Sequence, residues 1–160
     1  MRKLFFNAYV LPHLDYCCNV WGNCNVYLED KIIRFQKRAA RLILDKDFNT
    51  PSSELFSALK WMTFPVRVKY QKALLMFKIL NGQAPLYLQE SFRLTSDVRV
   101  QNLRSSSSLQ LYIPKPKSEL FRKTLVYSGS TVWNSLPFYI KNANSVHHFK
   151  SLYIRWSKDQ

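Results

Sequence analysis

Leu28–Lys46, LEDKIIRFQKRAARLILDK, separates into two kinds of surface once it is wound into a helix. At about 100° per residue, Leu28, Ile32, Ile33, Phe35, Ala39, Ala40, Leu42 and Ile43 share one broad side. Lys31, Arg34, Lys37, Arg38 and Arg41 fill the other, with Asp30 and Asp45 as the nearby offsets. The pattern predicts an amphipathic helix that packs through one side and turns cations outward on the other. Clustered Lys and Arg on one helix face is the electrostatic footprint of a phosphate binder. A face that is merely solvated is the competing account of the same pattern.

The rest of the chain leans the same way. Its 160 residues hold 24 Lys and Arg against 10 Asp and Glu, a formal net charge of +14. A small acidic ligand would not need basic residues spread from Arg2 to Lys158, so the surplus favours a polyanion, with nucleic acid as the expected partner. With 47% hydrophobic and 15% aromatic residues there is ample material for a core, which argues against disorder. The apolar stretch at the N-terminus is interrupted by Asn7, Pro12, His13 and Asp15 and leads to no small-residue cleavage site. No window approaches the roughly 20 apolar residues that a bilayer crossing needs. A soluble, intracellular protein, nuclear or cytoplasmic, is expected, neither secreted nor membrane-bound.

Local signals outline a mainly α fold: a helical bundle followed by a small, partly irregular C-terminal subdomain with room for one short strand. Pro12 is expected to end a first short helix. The basic helix runs to about Asp45. Thr50, Pro51 and Glu54 open a short helix reaching Leu59 or Trp61, and Pro65 opens a long, largely apolar one closed by Asn81-Gly82. Residues 1–91 read as one helical domain and 92–113 as an exposed Ser/Arg-rich connector. In the connector, Leu109, Leu111 and Ile113 alternate with polar positions as a strand would. Residues 114–160 read as an α-rich subdomain. There Ser118 caps a helix over Glu119 to Val126, Ser128-Gly129-Ser130 turns the chain, and a last amphipathic helix starts near Ser145.

The groups that catalysis needs are not assembled in the sequence. GxxxxGK[ST], GxGxxG, GxSxG and HExxH are all absent, and only three glycines exist to build a phosphate loop. The ten carboxylates are scattered, whereas two-metal nucleotidyl transfer needs them clustered. His13, Cys17, Cys18 and Cys24 offer adjacent cysteines without paired CxxC or HxxxH spacing, so reduced thiols are expected rather than zinc. His147 and His148 diverge by about 100° on a helix and read as surface residues of a first turn. No cofactor and no metal is expected. Tyr27, Phe35, Trp61, Tyr70 and Trp133 fall at helical spacing and are expected to pack in cores rather than stack on bases, with Tyr112 less constrained.

Five blocks in order carry a resemblance: LPHLDYCCNVWGNC (Leu11–Cys24), FQKRAARLIL (Phe35–Leu44), LKWMTFPVRVKYQKALLMFKILNGQAPLYL (Leu59–Leu88), FRKTLVYSGSTVWNSLP (Phe121–Pro137) and IKNANSVHHFKS (Ile140–Ser151). Together they resemble the C-terminal region of reverse transcriptases from LINE-type, non-LTR retrotransposons of jockey-like kind. The resemblance implies a helical thumb over 1–91 and a C-terminal extension beyond it. The [FY]ADD motif of the family's catalytic palm does not occur here, so the resemblance implies no polymerase activity for this chain by itself. It implies contact with the backbone of RNA or an RNA/DNA duplex, and the charge pattern of the basic helix offers Lys31, Arg34, Arg38 and Arg41 for that contact. An interaction module, docking to the missing palm or self-associating through an uncovered apolar face, is the alternative from another class.

Overall fold

The computed structural model describes residues 1–98 and 109–157 and is mainly helical. In the connector, Arg99, Asn102, Arg104 and Ser105 to Ser108 lie outside the described residues, as does Lys158 beyond the last helix. Contacts cluster into two compact units, Met1–Gln71 and Lys72–Gln160. The division falls inside a long helix rather than at the expected connector after Phe92.

The first unit opens with α1 (Arg2–Phe5), a π-helical turn (Phe6–Val10) and α2 (Leu11–Asp15). Pro12 therefore does not end the first helix. In the widened turn the Leu11 N–H donates to Phe6 O, and Pro12, with no N–H to place, sits in the first turn of α2. After α3 (Cys18–Trp21), Gly22 lies so close to the next layer that a Cβ there would stand 2.7 Å from Val68 Cγ1. A side chain at Gly22 would push this layer apart. Then comes α4 (Val26–Leu44), the basic helix, with α5 (Ser52–Leu59) and α6 (Phe64–Leu80) after it.

Two clusters hold α4 in place. Ala40 packs with Leu55, Phe56 and Leu59 of α5, flanked by Ile43, Leu44 and Trp61. Ile32 and Ile33 pack against Cys18, Phe64 and Val68. Between them Gln36, only 2% exposed, accepts a hydrogen bond from the Phe64 N–H at 2.9 Å, filling one of the orphan donors at the start of α6. Arg67 forks onto the Asp15 carboxylate through Nε and Nη2, joining α6 to the end of α2.

The second unit contains the end of α6, α7 (Leu86–Gln89), α8 (Thr95–Val98), α9 (Glu119–Lys123), α10 (Leu125–Asn134), α11 (Phe138–Lys141) and α12 (Val146–Trp156). Its core stacks Phe77 on Phe149 at 4.6 Å between centroids, with Trp133 and Tyr153 beyond Phe149. The turn expected at Ser128-Gly129-Ser130 is instead helix. Ser128 and Thr131 return their hydroxyls to the carbonyls of Thr124 and Tyr127, which satisfies them inside the helix. Gly129 is buried because a Cβ there would meet Met76 Sδ at 2.9 Å. The helix expected over Glu119 to Val126 breaks at Thr124, whose extended backbone ends α9 and caps α10.

No strand occurs among the described residues; Leu94 and Leu111 form one isolated antiparallel bridge. Its flanks are the Thr95 N–H to Gln110 O bond at 2.8 Å and the Tyr112 N–H to Arg93 O bond at 2.9 Å. On the other side, the Asn134 side chain accepts from Leu111 N–H at 2.8 Å and donates to Leu111 O at 2.9 Å. The alternation of Leu109, Leu111 and Ile113 thus marks extended backbone whose second neighbour is an amide side chain, not a strand.

Candidate nucleic-acid interface

Helix α4 is closed at both ends by its own sequence. The Asn25 side chain accepts from the Tyr27 N–H at 3.2 Å, and Glu29 adds negative charge in the first turn, where the helix dipole is positive. Asp45 takes the left-handed conformation at the far end, and the Asp45 and Lys46 amides both donate to Arg41 O. The 19-residue rod is therefore well delimited, and its five cations stand on a firm support.

The side chains divide into three sectors rather than two. Gln36 and Ala40 form a buried ridge, bordered by Ile32, Ile33, Ile43 and Leu44. Lys31, Arg34 and Arg38 are exposed, while Lys37 and Arg41 are half-buried on the side nearer the ridge. The third sector is apolar and uncovered: Phe35 is 46% and Leu42 69% exposed, with Leu28 beside them. The expectation that the whole apolar side packs is corrected there. Leu28, Phe35 and Leu42 recur every seven residues, two turns apart, and so share one face of the rod.

Among the described residues, none of the five cations pairs with a carboxylate, whereas Arg2 pairs with Asp45, Arg67 with Asp15 and Arg122 with Glu119. Arg67 shows the contrast. Its hydrogen bond to Asp15 raises its pKa against the opposing effect of burial, so its charge is already answered. Lys31 lies over the Tyr27 ring at 4.4 Å and Arg41 over the Phe48 ring at 4.9 Å, contacts that orient a cation without neutralising it. Arg41 also buries its Nε without a hydrogen-bond partner among the described residues. Lys31, Arg34 and Arg38 are thus the most available, with Lys37 and Arg41 set further in.

Lys31, Arg34, Arg38 and Arg41 follow one another at i, i+3, i+7 and i+10, so they form a stripe that rises about 15 Å along the axis. One strand of a duplex carries a phosphate about every 3.4 Å, so such a stripe spans roughly four phosphates. Ammonium and guanidinium groups that donate to phosphate oxygens fix position on a duplex without carrying sequence information.

The other residues singled out in the sequence do not assemble a site. Cys18 is buried beside Phe64 and Val68, whereas Cys17 is exposed at positive φ and Cys24 half-buried, so the adjacent thiols diverge. Among the described residues, no three His, Cys, Asp or Glu side chains are grouped to hold a metal ion, and no helix is long and apolar enough to cross a membrane. His147 and His148 are both exposed on the first turn of α12. Trp133 is buried and Trp61 and Tyr70 partly so, but Tyr27 and Phe35 lie open rather than in a core. Arg2, which sequence reasoning passed over, donates from Nη1 to Leu42 O at 2.8 Å and ties the N-terminal helix to α4. No family model, curated protein or solved structure matches this chain.

Proposed function

We propose that this chain is a noncatalytic helical module that grips a nucleic-acid backbone without reading its sequence, using the exposed flank of α4. RNA or an RNA/DNA duplex is the proposed ligand. The role is that of the thumb and C-terminal extension in the non-LTR reverse transcriptases that the five sequence blocks resemble. The observation that carries it is the charge arrangement on α4: five cations on one 19-residue helix, none paired with a carboxylate among the described residues. An arginine already neutralised, as Arg67 is by Asp15, would be a poor counterion for phosphate. Unanswered cations release condensed counterions when they meet a polyanion, which drives binding.

The test is the salt dependence of binding to two unrelated duplex sequences, measured for the wild type and for a Lys31→Gln, Arg34→Gln, Arg38→Gln variant. Each phosphate contact contributes about 0.9 to the slope of log K against log salt on B-DNA, so losing three should flatten it by about 2.7. The loss should be equal for both sequences. Salt-insensitive binding, or a loss confined to one sequence, refutes the proposal.

A further inference from the structure

We propose that the groove between the N-terminal helix and α4 receives an amphipathic helix of a partner protein, one whose apolar stripe is flanked by acidic residues. The groove has a volume of about 790 Å3, is walled by Phe5, Phe6, Phe35 and Leu42, and has Arg2 and Arg38 as its charged lining. Its floor is firm: Phe6 is buried and stacks on Trp61 at 4.3 Å between centroids. Its walls are not covered, with Phe5 61% and Leu42 69% exposed. A concave apolar trough between two helices is the shape that a third helix fills with anchors at i, i+3 or i+4, and i+7. Phe35 and Leu42, seven residues apart on α4, line it together and give such a helix two successive contact points.

Charge selects the occupant. Arg2 and Arg38, the latter three residues after Phe35, both line the trough, and Lys31 continues the cationic row along α4. Asp45, 3.8 Å from Arg2 and 95% exposed, is the one carboxylate paired there among the described residues. A partner helix with Glu or Asp beside its apolar stripe would meet complementary charge. A second copy of this chain would not. A two-fold contact through α4 would set Lys31 and Arg38 against their own kind, and like charges facing each other oppose association. A sugar-phosphate backbone is equally unsuited to the trough itself, because hydrocarbon walls offer its charged oxygens no hydrogen-bond partners.

The inference goes beyond backbone binding, and its test uses the full chain with three synthetic 18-residue peptides. One carries a Leu stripe flanked by Glu, the second the same stripe flanked by Lys, and the third the first peptide's composition scrambled. Fluorescence anisotropy at 150 mM salt should show the Leu/Glu peptide binding at least tenfold tighter than the other two. Leu42→Asn, at an exposed position, should weaken it about tenfold, while an Arg34→Gln, Arg41→Gln variant should lose duplex affinity and keep the peptide. Equal binding of the scrambled or the Leu/Lys peptide overturns the proposal, as does no Leu/Glu binding by 100 μM. Sedimentation giving a wild-type dimer that Leu42→Asn makes monomeric would assign the face to a second copy. Adsorption to phosphatidylserine vesicles that depends on Leu42, without peptide binding, would assign it to a membrane. Either result overturns the proposal.

Discussion

Replacing Gln36 with Leu would test whether one buried polar contact sets the orientation of the basic helix. Gln36 is 2% exposed and its Oε1 is the acceptor for the Phe64 N–H at 2.9 Å, while Phe64 is itself buried. Leu is close in volume and would fill the ridge between Ala40 and Ile33, but it offers the amide nothing. Leaving a buried donor unmade costs about 1–3 kcal/mol. The apolar side chain returns up to about 1 kcal/mol through burial of its extra hydrocarbon. The net expectation is a loss of about 1–2 kcal/mol. Urea denaturation followed by circular dichroism should show it as a lower midpoint with an unchanged slope. Hydrogen exchange at the Phe64 amide should accelerate in step, because that proton loses its acceptor. A Gln36→Leu protein as stable as the wild type, with Phe64 still protected, would refute the reasoning.

Two further outcomes can be checked on the same footing. Asp15→Asn removes the charge to which the half-buried Arg67 is forked, and should lower stability by about 1–3 kcal/mol in urea; an unchanged midpoint would show the pair to be idle. Burial pushes the pKa of Lys141 below its ordinary 10.5, and its Nζ donates to Asn134 O at a long 3.4 Å. The folded chain thus holds this proton less tightly than the unfolded chain, so the burial penalty is full at neutral pH and fades as pH rises to 10.5. Lys141→Met should therefore be more stable than the wild type at pH 7, by a margin that shrinks by pH 10. A pH-independent margin would contradict that account.

Much of the fold was legible because its signals are local. Asp45 ends the basic helix where the sequence placed its end, Asn81-Gly82 closes α6, and Ser145 caps α12 with an N–H bond from His148 at 3.1 Å, whereas the start at Asn25, three residues before Leu28, was not read. Departures arise where the backbone finds another local geometry or a distant partner overrides a local preference. Pro12 reads as a stop until a π-helical turn removes the need for its N–H, and Gly129 reads as a turn until Met76 is seen pressing on it. The five cations of α4 were legible by type and spacing, but their grading was not. Only tertiary packing sets Lys37 and Arg41 back and leaves Lys31, Arg34 and Arg38 forward. The groove was missed because two apolar stripes on one helix, one buried and one open, read as a single broad side until a neighbour covers one of them.

The amide of Asn134 has a consequence for association. A lone extended segment normally carries two rows of unsatisfied backbone groups, and either row can recruit a strand from another molecule. At Gln110–Tyr112 one row is closed by Arg93 and Thr95, and the other by a single side chain that answers both the N–H and the C=O of Leu111. That short ribbon consequently presents no open row of backbone groups beside Leu111 to a strand from another molecule.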